Sequence, residues 1–259
     1  MTSLRSKPPG RIEAHAVPRR LLAADSILTA GARRLNFLES EIRGLATVVG
    51  SGDVCLDVGA EYGLYSVPLA RLVGSTGRVV AVEPTPNLAR RLRLTASLLG
   101  AKALAVAPVA LGAKAGLGEL SVPLRWSMPV HGRSYLTDGS LHPGPNSEFA
   151  DAKTIPVCVQ TLDGLCDNLG INRLDFLKID VEGAELAILE GCEMVGRHRP
   201  NIMLEIEDRH LGRFGKQASD VFNLLCGNGY AVFGWLDEQW QSLAGPHPRL
   251  RNYLFTPES

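Results

Sequence analysis

Two spacings of hydrophobic positions alternate along this chain. Between 35 and 49, Leu35, Leu38, Ile42, Leu45, Ala46 and Val49 recur every three or four residues, and Gly50 and Gly52 follow. That stripe predicts an amphipathic helix with a glycine stop. Short continuous apolar runs then take over, first Val54-Cys55-Leu56-Asp57-Val58 and next Arg78-Val79-Val80-Ala81-Val82-Glu83. Strands apolar on both faces belong to a sheet covered on both sides, which implies parallel pairing. Segments 64–73 and 86–99 have helical spacing and enough residues for right-handed crossovers. Runs at 103–111, 175–181 and 201–206 continue the alternation, so the pattern predicts a doubly wound α/β sheet. Two last runs, 230–235 and 252–255, are joined by a loop with Pro246 and Pro248 that is too short for a helical crossover. They are expected to form an antiparallel pair at one sheet edge.

Two stretches fall outside this grammar. Residues 1–34 hold Pro8, Pro9, Gly10 and Pro18 among basic residues without a sustained period, and are read as a flexible arm preceding one domain over 35–259. The interval 112–157 carries Pro123, Pro129, Gly132, Gly139, Pro143, Gly144 and Pro145, with short β-like pieces such as Leu120-Ser121-Val122. Long irregular excursions in compact domains are commonly functional lids or disordered loops. Trp126, His131, Tyr135 and His142 lie within it, and Trp126 and Tyr135 are expected to cover the substrate.

Charge and cysteine usage narrow the class. Lys+Arg 27 balances Asp+Glu 27, so no global field draws the chain to nucleic acid or an anionic membrane. The first 34 residues are basic, with seven Lys/Arg against Glu13 and Asp25, 7 − 2 = +5. A weak membrane-surface contact is the partner expected of that arm; no nucleic acid is expected. No stretch approaches the roughly 18 apolar residues of a membrane-spanning helix. The apolar cluster 21–24 is too short for a signal-peptide core. The five cysteines are odd in number and never in CxxC, which disfavours a disulfide framework or a structural zinc site. Five buried thiols in a cytoplasmic protein are expected.

The chemistry concentrates at the end of the first strand, Asp57-Val58-Gly59-Ala60-Glu61-Tyr62-Gly63, a D-x-G-x-x-x-G run. Its glycines permit a tight turn and close approach of a ligand. A dinucleotide would ask for G-x-G-x-x-G, with its pyrophosphate on the next helix; here Asp57 and Glu61 would repel it. S-adenosylmethionine, cationic and without phosphate, suits these carboxylates better than NAD does. Glu83 closes the second strand 83 − 63 = 20 residues after Gly63, where a carboxylate can take both ribose hydroxyls.

These residues resemble the FkbM-type S-adenosylmethionine-dependent methyltransferases, best known as O-methyltransferases of sugars and polyketides. The resemblance runs from about Glu41 to Pro257. It includes Val82-Glu83-Pro84-Thr85-Pro86, Ala110-Leu111-Gly112, Val159-Gln160-Thr161-Leu162-Asp163 and the diagnostic run Leu174-Asp175-Phe176-Leu177-Lys178-Ile179-Asp180-Val181-Glu182-Gly183-Ala184-Glu185. It implies a Rossmann-like class I methyltransferase with cofactor contacts at Asp57, Gly59, Ala60, Glu61, Gly63, Glu83, Pro84, Ala110 and Leu111. The family commonly has Asn at the position of Glu61, often asparagines at Thr95 and Leu99, and Asp at Ala113.

Alternation places Lys178 and Asp180 on one face of the diagnostic strand. Methyl transfer to a hydroxyl requires near-attack geometry and removal of one proton. Asp180 is the expected base, Lys178 its orienting partner and Glu205 the second candidate; Asp180 and Glu205 could instead share a divalent cation, and no metal is assigned. Glu182 is expected to cap a helix over 184–192, and His210 to be a solvated loop residue. The leading reading is an O-methyltransferase of a small molecule, glycan, glycolipid or polyketide. The alternatives are a NAD-dependent oxidoreductase and a catalytically silent cofactor-binding protein.

Overall fold

The computed structural model describes residues 17–34, 39–141 and 148–258. Residues 1–16, the Leu35 and Leu38 positions of the expected first helix, and His142 with Pro143, Gly144 and Pro145 lie outside the described residues.

The strand–helix alternation comes out as the hydrophobic pattern dictates. Strand β1 (Val54–Val58), helix α2 (Ser66–Val73), strand β2 (Arg78–Val82), helix α3 (Pro86–Leu99) and strand β3 (Leu104–Ala107) follow helix α1 (Arg19–Arg34) and a 3-10 turn over Ser40–Thr47. Pro86 opens α3 at the position that needs no N–H donor, and Gly100, left-handed, closes it. Five strands build a second sheet: β4 (Ala110–Leu111), β5 (Gly116–Arg125), β6 (Met128–Pro129), β7 (Tyr135–Leu136) and β8 (Asp151–Gln160). The chain returns through α4 (Leu162–Asn168), β9 (Phe176–Ile179), α5 (Glu185–Leu189), α6 (Glu193–His198), β10 (Asn201–Glu205), α7 (Asp208–Leu211) and α8 (Ala218–Gly227). The antiparallel strands β11 (Tyr230–Leu236), β12 (Gln239–Ser242) and β13 (Asn252–Pro257) complete it.

The main sheet has the order β12-β11-β13-β10-β9-β1-β2-β3, parallel from β10 through β3 and antiparallel at β13, β11 and β12. It is a doubly wound α/β sheet. Strand order reverses beside β1, so the crevice above the β1 and β9 carboxyl ends is where such sheets bind ligands. In that pair Asp57 stands opposite Lys178. One layer of the core packs Leu56, Val80, Leu177 and Leu204 under α4, α5 and α8; the other packs Cys55, Val79, Phe176 and Met203 under α1 and α2.

Several expectations change. The chain from Arg19 to Arg34 is no loose arm. It is a helix whose Leu21 is buried in the core and whose Asp25 pairs with Arg71 at 2.6 Å. The described part of the first expected helix is a 3-10 turn that buries Ile42 and Leu45. The run expected over 103–111 is two strands in different sheets, because β4 pairs with β8 rather than with its sequence neighbour. Much of the described part of the 112–157 excursion is regular: β5 and β8 pair antiparallel from Gly116–Val159 to Leu124–Asp151, with Leu120, Val122, Leu136, Val157 and Val159 as its own small core. The expected edge pair is present, and β12 adds a third antiparallel strand. Cys55 and Cys166 are buried, but Cys158 and Cys226 are exposed, which corrects the expectation of five buried thiols.

Candidate functional site at the sheet switch point

The turn after β1 is shaped by close approach. Gly59 has φ +83, and a Cβ there would stand 1.8 Å from the Asp180 carbonyl oxygen, so only glycine lets β1 and β9 end side by side. Gly59 and Ala60 N–H both donate to the Val82 carbonyl, at 3.0 and 3.1 Å, folding the turn toward β2. Glu61 follows at φ +45, a left-handed conformation that suits asparagine better than glutamate.

Two recesses meet at this turn. The first, a cleft of about 580 Å³, runs between the sheet end and the second sheet; Glu61, Glu83, Pro84, Ala110, Leu111, Asp180 and Glu205 line it, with Pro129–Leu136 opposite. The second, about 670 Å³, opens under α1 and holds Asp57, Ala60, Gly63 and Lys178. Gly59, Glu61, Tyr62 and Asp180 belong to both. The positions expected to bind a cofactor are therefore divided between two walls of one turn.

Glu83 is buried and fixed. The Glu61 N–H donates to its Oε2 at 3.0 Å and the Thr85 N–H to its Oε1 at 2.7 Å, leaving one lone pair on each oxygen for a ligand. Burial raises its pKa, and the N–H donors oppose the rise. Asp57 is 2% exposed and accepts from the Ser66 hydroxyl; burial, only partly countered by Ser66, pushes its carboxyl up to about 6. It thus anchors the first turn of α2. The carboxyl of Glu61 is raised to about 7 by burial and then by its neighbours Glu83, Asp180 and Glu182.

At the inner end stands a cluster of charged groups. Lys178, 1% exposed, donates to Asn252 Oδ1 at 2.8 Å and lies 3.8 Å from Asp180 Oδ2 and 5.0 Å from the Tyr65 ring centre. Burial alone would lower the pKa of that ammonium; Asp180, Glu39, Glu205 and Glu41 outweigh it and hold the group cationic. Glu205 hydrogen-bonds Asp180, and burial followed by the Asp180 charge raises its pKa, so Glu205 keeps the proton of the pair. Tyr65 donates to Glu39, and burial with the Glu39 charge pushes Glu41 behind it up to about 7. Sequence periodicity points to none of Tyr65, Glu39 and Asn252, which come from other elements.

Glu182 corrects an expectation. It caps no helix: the helix spans only Glu185–Leu189 and has no side-chain cap, and Glu185, its first residue, accepts from the Val181 and Gly183 N–H groups at 3.1 and 3.0 Å and so holds the turn before it. Glu182, at φ +60, turns instead to Arg133, in the turn between β6 and β7, at 3.1 Å and to His210. Nor is His210 solvated: it is 3% exposed, and burial lowers its pKa. Trp126, expected over the substrate, is 86% exposed at the β5–β6 turn, away from both recesses. Tyr135 does line the cleft, with its ring beneath the Arg213 guanidinium at 3.9 Å. His131 lines it as well.

Carboxylate oxygens of Asp180, Glu182 and Glu205 lie within 4.8 Å of one another, a donor set that suits a hard cation. Arg133 and Lys178 already stand against two of its members.

The model of the methyltransferase FkbM domain matches residues 57–232, which takes in the turn, Glu83, the whole second sheet, Asp180 and the main sheet from the end of β1 to the start of β11. The chain belongs to this family. Its methyl donor is S-adenosylmethionine, and the cleft fits that donor: Glu39, Glu61, Glu83, Asp180, Glu182 and Glu205 outnumber Arg133 and Arg251, a lining for a cationic nucleoside without phosphate. Among relatives, the chain is 28% identical over 207 residues to the AMB antimetabolite synthetase AmbE of Pseudomonas aeruginosa, covering 69% of this chain and 10% of that one. It is 30% identical over 168 residues to the methyltransferase sdnD of Sordaria araneosa, 55% of this chain and 61% of the relative. The chain thus spans less than two thirds of either. Among solved structures it is similar to an FkbM methyltransferase from Methylobacillus flagellatus KT (TM-score 0.47, 15% identity, 91% of this chain and 59% of that one). A second is cofactor-bound Rv0187 from MTB (TM-score 0.49, 14% identity, 94% and 92%).

In this FkbM-family chain the Glu83 carboxylate is expected to hold the donor's ribose. Glu83→Ala should weaken S-adenosylmethionine binding by about 1 to 3 kcal/mol, the scale of charge-assisted hydrogen bonds. It should also lower the melting temperature, since the Glu61 and Thr85 N–H groups lose their acceptor. Calorimetry paired with a melting curve checks both; unchanged affinity would reject the ribose assignment.

Proposed function

We propose that this FkbM-family methyltransferase methylates a hydroxyl oxygen of a small molecule, glycan, glycolipid or polyketide. One observation carries the reading: a buried Lys178 stands with half-buried Asp180 and Glu205 where the two recesses join, beside the turn of Gly59. When bound, S-adenosylmethionine supplies a methyl group on a positively charged sulfur that departs neutral. A hydroxyl attacking that carbon must shed its proton, and Asp180 is the base within reach. Lys178, pinned by Asn252, holds the Asp180 carboxylate in place and offsets the charge of the surrounding acids. Glu205, already protonated, donates to Asp180 and leaves its other oxygen free to receive. The turn between β6 and β7 reaches across the cleft through Arg133 on Glu182 at 3.1 Å and walls its donor side.

A catalytically silent binding protein would have no use for a buried cation, a carboxylate and a protonated acid at one point. A dinucleotide reading would set a pyrophosphate against Glu61 and Asp180. Incubating the chain with trideuteromethyl-labelled S-adenosylmethionine and a cell extract tests the proposal. The label should enter a product that resists mild alkali, as an ether does. Label released by alkali as from an ester, or label on nitrogen, would overturn O-methylation of a hydroxyl.

A further inference from the structure

The recess under α1 is chemically unlike the donor cleft. Its walls are apolar: Ala24, Ile27 and Leu28 from α1, Leu64 from the glycine turn and Leu99 from α3. Ile27 is 71% exposed and Tyr62 57% exposed, large apolar groups facing solvent. Thr95 of α3 adds one hydroxyl to these walls, and Lys178 and Asp180 lie at the sheet end where the recess meets the donor cleft. None of the α1 residues lines the donor cleft. The donor's amino-acid head can find partners at the floor of the recess, in Glu39, Asp57, Glu61 and Lys178, but it would lose its hydration against the α1 wall, which offers none. A ligand with an apolar body and one polar end would match both parts, as small-molecule sites generally do.

We infer that the α1 recess receives the methyl acceptor, and that this acceptor is an alcohol on an apolar skeleton, its hydroxyl reaching Asp180 at the junction. The inference rests on the methyl-transfer reading above and narrows it, setting an apolar alcohol above a glycan. It also moves acceptor recognition from the second sheet, where sequence reasoning put it, to α1. The second sheet is left to cover the donor.

The test uses the full chain with 1-decanol as probe, followed by saturation-transfer NMR, and calorimetry of S-adenosylmethionine in parallel. Two variants divide the recess. Ala24→Phe fills it. Ile27→Glu puts a carboxylate at its mouth on a side chain exposed enough to leave the fold intact. Decanol should bind the wild-type chain, weaken at least tenfold in both variants and be untouched by methyl glucoside, while S-adenosylmethionine affinity stays within twofold. Absence of decanol binding, or equal binding to wild type and both variants, would overturn the inference. So would a loss of S-adenosylmethionine affinity in Ala24→Phe as large as the loss for decanol, which would give the recess to the donor. If S-adenosylmethionine fails to bind the wild-type chain while decanol binds and is lost in the variants, the methyl-transfer reading fails, and the acceptor assignment falls with it.

Discussion

Asp180→Asn is expected to lower kcat by about 10² to 10⁴, the usual contribution of a general base, with little change in S-adenosylmethionine affinity. Asparagine keeps the size and the hydrogen bonds of aspartate but cannot take up the hydroxyl proton. Lys178, 3.8 Å away, would then face a neutral partner, and the hydroxyl would have to ionise unaided. Glu205→Gln should cost much less, because Glu205 already carries a proton and the glutamine amide can donate to Asp180 in its place. Single-turnover rates on the acceptor identified by label transfer separate the two. Near wild-type kcat in Asp180→Asn with abolished turnover in Glu205→Gln would make Glu205 the base. Activity abolished by EDTA and restored by Mg²⁺ would make Asp180, Glu182 and Glu205 metal ligands instead.

Gly59→Ala should be among the most damaging single substitutions in the chain. The added Cβ meets a backbone carbonyl at 1.8 Å, and that carbonyl belongs to the residue following β9, itself held by the Asp180 N–H bond to the Val58 carbonyl at 3.0 Å. Neither side can yield without parting β1 from β9. Left-handed strain of about 1 to 2 kcal/mol adds to an overlap worth about 1 to 3 kcal/mol or more. The sum should lower the melting temperature by roughly 10 °C for a chain of this size. Gly191→Ala is the internal control. Its φ of +75 carries similar strain, but among the described residues nothing lies within 4 Å of the added carbon. Melting curves showing equal losses for the two would mean that strain alone, and not the β1–β9 approach, makes Gly59 necessary.

How much of this was legible follows from the range of each interaction. β1, β2, α3 and β10 announce themselves because each is a local pattern bounded by its own glycine, proline or polar residue, and parallel order follows from strands apolar on both faces. Asp57, Gly59, Glu83 and Asp180 are legible for the same reason, since each sits one residue from a strand end. Helix α1 was missed although Leu21, Leu28 and Ala32 keep helical spacing; the arginines and prolines before it, and Asp25 within it, look like solvated chain until Arg71 is seen across from Asp25. The β5–β8 pairing joins residues up to 43 positions apart, Gly116 with Val159, across a stretch whose prolines argue against strands. Glu182 was misread because the E-G-A-E run offers two glutamates to one helix start. In the structure neither caps it: Glu185 accepts from the Gly183 N–H and holds the turn, while Glu182 faces Arg133, 49 residues away, and His210. No local spacing encodes such partners.

The lining of the switch-point cleft suits a cationic, phosphate-free donor. Calorimetric titration of the full chain with S-adenosylmethionine and with NAD, each at pH 6 and pH 8, tests it most directly. Burial and the surrounding acids raise Glu61 to about 7, so the free protein carries its proton at pH 6 and releases it on binding a cation. S-adenosylmethionine should therefore occupy one site and bind about tenfold more tightly at pH 8 than at pH 6, with a proton release seen as a heat that depends on the buffer, while NAD gives no binding heat. Saturable binding of NAD with none of S-adenosylmethionine would contradict the account.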